Sequence, residues 1–164
     1  MTQNTKGRVT RKPKSTVRLT ARSADKHVLY QLAVQFPGED VRFLARIYRG
    51  MRGKEARHLR EDFCGTALLC ASWVRGRKPR TAEGFDICTR TLAWGRTHNL
   101  ARLGERAERV RLHARDVRTP SARRPDIRCA QNFSYFVFKR RDELLAYFRS
   151  ARQDLAPGGI FVLD

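Results

Sequence analysis

The sequence predicts a single α/β domain in which a doubly wound, mainly parallel sheet carries helices on both faces. Two observations lead to this fold class. Short apolar segments alternate along the chain with helical patterns, and glycine or proline separates many of them. Such alternation is typical of parallel sheets with right-handed crossovers. The length of 164 residues, 41% of them hydrophobic, fits one ordinary soluble domain.

Residues 1–24 contain seven basic side chains and no acidic one, and their apolar residues define no helical face. A segment of this kind cannot bury enough apolar surface to offset the entropy lost on ordering, so we predict a disordered basic tail. No apolar stretch follows the basic start, which argues against a secretory signal. The lack of an amphipathic face argues against an organelle transit peptide, so we predict a cytoplasmic protein.

Two N-terminal helices are predicted in residues 25–55, ahead of the sheet. Apolar residues at spacings of three and four mark the first helix over residues 28–36, and Pro37-Gly38 is expected to end it. The second helix begins near Glu39-Asp40, whose charges suit a helix N-terminus, and stops by Gly53.

The sheet itself is predicted in residues 56–164. Strands are expected at residues 56–62, 81–87, 109–114, 126–131 and 160–163. Helices are expected at residues 66–74 and 89–103, and a third helix is marked by Leu144, Phe148, Ala151 and Leu155. Ligands of such sheets bind at the carboxyl ends of the strands, so the functional residues are expected there.

Charge and cysteine content narrow the possible functions. The net charge of +19 suits a nucleic-acid partner. However, 28 of the 35 basic residues are arginine, and such an excess over lysine can also reflect coding bias. The four cysteines form no Cys-x-x-Cys pair and the four histidines no His-x-x-x-His pair, so no metal site is predicted. No apolar run approaches the roughly 20 residues of a membrane-spanning helix.

Acidic residues follow three consecutive predicted strands. The first strand ends in Glu61-Asp62, and the tight turn Phe63-Cys64-Gly65-Thr66 leads directly into a helix. The backbone N–H groups of this turn are therefore expected to face any ligand bound there. Asp86 follows the second strand, 21 residues after Gly65, where a nucleotide-binding sheet places a ribose-binding carboxylate. Asp116 follows the third strand.

From about Tyr30 to Asp164 the chain resembles class I S-adenosylmethionine-dependent methyltransferases. In the acid-x-Gly-x-Gly-x-Gly motif of that family, Glu61 matches the acid and Gly65 the central glycine, whereas Phe63 and Ala67 replace the other two. The stretch 59–69, together with Asn132-Phe133-Ser134-Tyr135, resembles an uncharacterised bacterial subgroup. The resemblance implies a Rossmann-like fold with S-adenosylmethionine as cofactor.

The resemblance also implies roles for individual residues. Glu61, with Asp62 and Cys64 beside it, is expected near the methionine part of the cofactor, against the backbone of Gly65 and Thr66. Asp86 is expected to accept from the ribose hydroxyls, and the adenine ring is expected to meet Ile87, Asp116 and Val117. Tyr30 and Gln31 are expected to close over the methionine end.

The segment after the fourth strand is the expected acceptor site. Because the methyl carbon is already activated, a methyltransferase mainly positions the acceptor. Asn132 could hold an amine through its carbonyl oxygen and Tyr135 could orient it through its hydroxyl. The alternative is that Asn132 and Ser134 satisfy loop backbone groups while Tyr135 and Phe136 pack under the sheet.

Three functions remain open from the sequence. The first is methyl transfer to a small molecule or protein, and the second is methyl transfer to RNA. The third is a catalytically silent binding module or fragment, because the family's sheet has seven strands and this chain ends at Asp164, after the fifth. We therefore expect residues 56–164 to be a C-terminally incomplete methyltransferase domain, from a truncated or split protein.

Overall fold

Five parallel strands form one sheet in the computed structural model, which describes residues 20, 23–76 and 78–164. The strands are β1 (His58–Asp62), β2 (Thr81–Phe85), β3 (Val110–His113), β4 (Ile127–Ala130) and β5 (Ile160–Leu163). They pair in the order β3-β2-β1-β4-β5. The predicted fold class is confirmed, and the order reverses between β1 and β4. Most of the predicted tail, residues 1–19, 21 and 22, lies outside the described residues.

The helices lie on both faces of the sheet. They are α1 (Lys26–Val34), α2 (Pro37–Arg52), α3 (Leu68–Arg75), α4 (Thr89–Gly95) and α5 (Arg141–Asp154). A π-helical turn, Arg96–Leu100, and a 3₁₀ segment, Ala101–Arg109, extend α4, and a short 3₁₀ helix, Ser134–Val137, follows β4. No helix in the described part of the chain is both long and apolar enough to cross a bilayer.

Two predicted helices differ from the observed ones. Pro37 does not end the first helix but begins the second, where its missing N–H costs nothing because the first N–H groups of a helix lack partners. The predicted helix 89–103 changes to π geometry at Arg96, and a break with non-helical backbone angles interrupts its extension at Gly104. In this stretch Asn99 donates from Nδ2 to the carbonyl oxygen of Thr66, 2.8 Å away, which ties it to the loop after β1.

The two faces of the sheet differ in chemistry because alternate residues of each strand point to opposite sides. On one face Leu59 and Ile127 pack with α2 and α3 in a core that includes the fully buried Leu44 and Trp73. The other face carries charged side chains: Arg60 pairs in register with Arg128, and both are fully buried.

Candidate functional site

A cavity of about 400 Å³ lies at the carboxyl ends of β1 and β4, beneath α1. This is the point at which the strand order reverses, the usual ligand position in open α/β sheets. Six of the residues predicted from the sequence line it: Tyr30, Glu61, Cys64, Gly65, Thr66 and Asn132. The structure thus brings together residues from α1, the β1–α3 loop and the β4 end.

The loop between β1 and α3 is held in an unusual backbone conformation. Phe63, Gly65 and Ala67 all have φ between 52° and 55°, which is common for glycine but costly for the other two residues. The N–H of Cys64 donates to the carbonyl oxygen of Phe85 at 3.0 Å, and this bond ties the loop to the end of β2. Strain held in this way is typical of functional sites.

Glu61 is the most buried charged group of the cavity wall, with 4% of its surface exposed. One carboxylate oxygen, Oε2, accepts from the N–H of Cys70 at 3.2 Å and from its thiol at 3.1 Å. Burial raises the pKa of Glu61 to about 7, because its effect is larger than that of the two hydrogen bonds from Cys70, which lower the pKa. At neutral pH the side chain therefore changes charge readily.

This shift predicts a pH-dependent cost of folding. The folded state binds the Glu61 proton more tightly than the unfolded chain, so the stability associated with that proton is present below about pH 4.5 and lost as the pH rises through about 7. The Glu61→Gln variant has no carboxyl group at this position and should not lose this stability. As the pH rises over this range, its free energy of unfolding should increase by about 3 kcal/mol relative to that of the original chain, as measured by urea titrations. A Glu105→Gln variant, altered at an exposed position, should follow the original chain.

Asp86 and Ile87 lie at the end of β2, beside the cavity rather than in its wall. Asp86 accepts from the N–H of Gly65 at 2.9 Å through Oδ2 and from the N–H of Cys88 at 2.8 Å through Oδ1. Ile87 is 77% exposed. Asp86 thereby links the loop after β1 to the loop after β2, and Ile87 offers apolar surface next to it.

The residues predicted after β3 are engaged elsewhere. The carboxylate of Asp116 binds the guanidinium of Arg118 at 2.6 Å and 2.9 Å, and this pairing lowers the pKa of Asp116. Val117 is buried, and its carbonyl oxygen accepts from Arg60 and from Arg128. Neither Asp116 nor Val117 lines the cavity.

Asp62 and Tyr135 also lie away from the cavity. Asp62 follows Glu61 in β1 and so points to the opposite face of the sheet, where both of its oxygens are bound by arginine side chains. The ring of Tyr135 packs against those of Phe136 and Phe148, at centroid distances of 4.8 Å and 6.4 Å. From the segment after β4, Asn132 lines the cavity, with φ of 58°.

Helix α1 covers the cavity through a few specific contacts. Gln31 donates from Nε2 to the hydroxyl of Thr66 at 2.7 Å, and the indole N–H of Trp94 donates to Asp25 at 2.8 Å. The His27 ring lies 5.1 Å from that indole. No residue of α1 is buried, so these polar and aromatic contacts hold the helix in place.

Sequence patterns did not identify Trp94 and Asn99 as part of this assembly. Both lie in the predicted helix 89–103, where a tryptophan in a largely polar segment is the one visible signal. Their partners, Asp25 and Thr66, are distant in sequence. Within the described residues, no three His, Cys, Asp or Glu side chains come close enough together to hold a metal ion.

Among known proteins, the chain is similar to solved structures of methyltransferases. No family model matches the sequence, and no curated protein sequence matches it. The amino pentose methyltransferase CalS10 from Micromonospora echinaspora, solved with S-adenosylmethionine bound, has 25% sequence identity and a TM-score of 0.67, with 84% of this chain and 54% of CalS10 covered.

Two further structures share the fold at lower sequence identity. The sugar N-methyltransferase KedS8 from a Streptoalloteichus species has 21% identity and a TM-score of 0.68, with 94% of this chain and 59% of that protein covered. DesVI from Streptomyces venezuelae has 21% identity and a TM-score of 0.69, with 85% and 57% covered. The chain spans less than two thirds of each of these proteins, and over that length it has the Rossmann-like fold of S-adenosylmethionine-dependent methyltransferases.

Proposed function

We propose that this chain binds S-adenosylmethionine in the cavity at the ends of β1 and β4 and transfers its methyl group to a small-molecule acceptor. The observation that carries the proposal is the position of the Gly65 loop. Its backbone is held at the switch point of the sheet, beside the buried Glu61, in a fold shared with methyltransferases solved with this cofactor.

The residues of the cavity wall fit the parts of this cofactor. Glu61 offers a carboxylate to the methionine ammonium group, and Lys26, which also lines the cavity, offers a positive charge to the methionine carboxylate. An ionised Asp86 has acceptor capacity for about four hydrogen bonds and uses two, so two ribose hydroxyls can still donate to it. We leave Asp62 out of the site because both of its oxygens are already bound.

The adenine ring is proposed to lie on Ile87, whose apolar surface it would remove from water. Asp116 and Val117, at the end of β3, would flank the ring only if Asp116 exchanged its bond to Arg118. Helix α1 is proposed to close over the methionine end through Tyr30 and Gln31.

When bound, the cofactor supplies a methyl group on a positively charged sulfur, which needs no further activation. The chain's task is then to hold the acceptor in line with that group and to exclude water. Asn132 is proposed to bind the acceptor, because it lines the cavity directly after β4 and its polar side chain can hydrogen-bond an acceptor there. Tyr135 acts through packing, since its ring lies among other aromatic rings.

The acceptor is proposed to be a small molecule rather than RNA or a protein. In support, CalS10 is an amino pentose methyltransferase, KedS8 a sugar N-methyltransferase and MtfA a glycopeptide N-methyltransferase.

We also propose that the chain is located in a reducing compartment, the cytoplasm, because Cys64, Cys70, Cys88 and Cys129 are all unpaired in the described residues.

Calorimetric titration with S-adenosylhomocysteine tests the cofactor site. The original chain should bind it, and Asp86→Ala should weaken binding at least about tenfold, since hydrogen bonds to a charged group contribute about 1.5–3 kcal/mol each. Asp142→Asn, which removes an exposed carboxylate from the start of α5, is the matched control and should bind like the original chain.

Two results would count against the proposal. A folded original chain that does not bind S-adenosylhomocysteine contradicts the cofactor assignment. An Asp86→Ala variant that binds S-adenosylhomocysteine as tightly as the original chain contradicts the ribose contact. In that case the position proposed for the cofactor is wrong.

A further inference from the structure

A second cavity, of about 210 Å³, adjoins the first on the β5 side. Its wall includes carboxylates from three different elements: Asp40 from α2, Glu61 from β1 and Asp164 from the end of β5. We call this space the acidic cavity. It shares Gln35, Glu61, Gln131 and Asn132 with the first cavity, so the two spaces are neighbours.

The charge of the acidic cavity is opposite to that of the chain. The sequence contains 35 lysine and arginine residues and a net charge of +19. Nevertheless, no lysine, arginine or histidine of the described residues lines this cavity. Nearby carboxylates repel one another, and the pKa of Asp40 is raised by burial first and then by Asp164 and Glu39. A bound cation would relieve this repulsion.

An unpartnered oxygen atom also lines the acidic cavity. The side-chain oxygen of Gln35 is buried and has no hydrogen-bond partner. Glu61 is 4% exposed and accepts both of its hydrogen bonds through Oε2, so its Oε1 stays available to the methionine ammonium group of the proposed function. A buried acceptor without a donor, such as the Gln35 oxygen, is rare in folded proteins and indicates a missing donor.

An organic ammonium group satisfies these conditions better than a metal ion. It carries a positive charge and two or three N–H groups, which donate hydrogen bonds to carboxylate and amide oxygens. In the described residues no three acidic, histidine or cysteine side chains are placed to hold a metal ion. A ligand with an amine is therefore the chemistry that fits.

We propose that the acidic cavity binds the ammonium group of the methyl acceptor through Asp40 and Asp164, so that the acceptor is a primary or secondary amine. This inference rests on the proposed function, because it assigns the cofactor to the adjacent cavity. Because the two cavities share residues, among them Glu61 and Asn132, an amine in the acidic cavity would lie next to the methyl group of a cofactor in the first cavity.

The reaction requires the ammonium group to lose a proton first, since its nitrogen otherwise has no lone pair. The proton passes to a carboxylate of the acidic cavity, which becomes a neutral acid. The amine nitrogen then bonds to the methyl carbon while the carbon–sulfur bond breaks, and that electron pair remains on sulfur. The products are a methylated ammonium ion and S-adenosylhomocysteine, so charge and atoms balance.

NMR titration of the ¹⁵N-labelled chain, saturated with S-adenosylhomocysteine, tests this inference. The probes are methylamine, cyclohexylamine and glucosamine, with cyclohexanol and glucose as neutral partners of the last two. At least one amine should shift the backbone signals of Gln35 and Asp40 saturably, at least about tenfold more tightly than its neutral partner. Asp40→Asn should weaken that binding about tenfold.

Glu39→Gln is the matched control, because it removes the same charge from an exposed neighbour that lines neither cavity. It should bind the amine like the original chain. If Asp40→Asn does not fold, Asp164→Asn takes its place, since an asparagine oxygen can still accept from the N–H of Phe133.

The possible outcomes separate the two proposals. If S-adenosylhomocysteine fails to bind, the proposed function is wrong. If it binds but none of the amines does, or an amine and its neutral partner bind equally, the acidic cavity is not an ammonium site. Equal effects of Asp40→Asn and Glu39→Gln also overturn the inference, because the binding is then not located at Asp40.

Discussion

Replacing Asp62 with alanine is expected to lower the free energy of unfolding by about 3–5 kcal/mol, because two buried arginines depend on it. Asp62 accepts from Nε of Arg60 at 2.7 Å and from Nε of Arg128 at 2.6 Å. The hydroxyl of Tyr147 also donates to it, at 2.8 Å. Arg60, Asp62 and Arg128 are all fully buried, so water cannot replace the lost carboxylate.

The remaining partners of the network cannot compensate. Asp154 accepts from Nη1 of Arg60 at 2.9 Å and from Nη1 of Arg128 at 3.4 Å, so the intact cluster has two positive and two negative charges. Without Asp62 it carries an excess positive charge inside the protein, and such a charge is costly.

Urea unfolding monitored by circular dichroism measures this loss. Asp142→Asn is the control, because Asp142 pairs with Arg140 on the surface, where both side chains are more than half exposed and the pair contributes little. An Asp62→Ala variant as stable as this control contradicts the buried network. Asp62→Asn should fall between the two, since it retains one acceptor oxygen but not the charge.

Asp62 also shows what the sequence could not reveal. It follows Glu61 directly, and both acids end the same strand, so the sequence predicts them at the same edge of the sheet. Alternation along the strand, however, sends Glu61 to the cavity and Asp62 to the opposite face. Deciding between them requires knowledge of which face is apolar, and β1 reads His-Leu-Arg-Glu-Asp, with one apolar residue.

The fold was predictable where local patterns and tertiary packing agree. The apolar run Ile160–Leu163 and the turn at Gly65 predicted β5 and the cavity loop near their observed positions. Strand β1, which is mostly polar and charged, and strand β4, which contains Arg128, were recognised by their place in the alternation of elements. That Arg60 and Arg128 are fully buried could not be predicted, because arginine is rarely buried unless a partner is present.

The acidic cavity was missed for a different reason. Glu39 and Asp40 lie in the first turn of α2, where acidic residues stabilise a helix by themselves. A charge with a local explanation gives no signal of a second role. Only the packing of α2 beside the ends of β1 and β5 brings Asp40 together with Glu61 and Asp164 in one wall.

Replacing Gly95 with alanine is expected to disturb both stability and cofactor binding. A side-chain carbon at this position would lie 2.8 Å from the carbonyl carbon of Thr66 and closer still to its oxygen, and both atoms belong to the backbone of the cavity loop. That oxygen also accepts from Asn99, so the loop cannot move without losing the bond. We expect a loss of about 3 kcal/mol in the free energy of unfolding.

The loop that Gly95→Ala displaces is the one that carries Gly65 and Thr66, so the affinity for S-adenosylhomocysteine should fall at least about tenfold in calorimetry. Gly50→Ala is the matched control: Gly50 lies within α2, and an added carbon meets nothing within 4 Å. Removing a glycine from an exposed helix should raise stability by up to about 1 kcal/mol. If both variants behave alike, α4 does not approach the loop closely, and the close contact of Gly95 with Thr66 cannot be what positions the cavity wall.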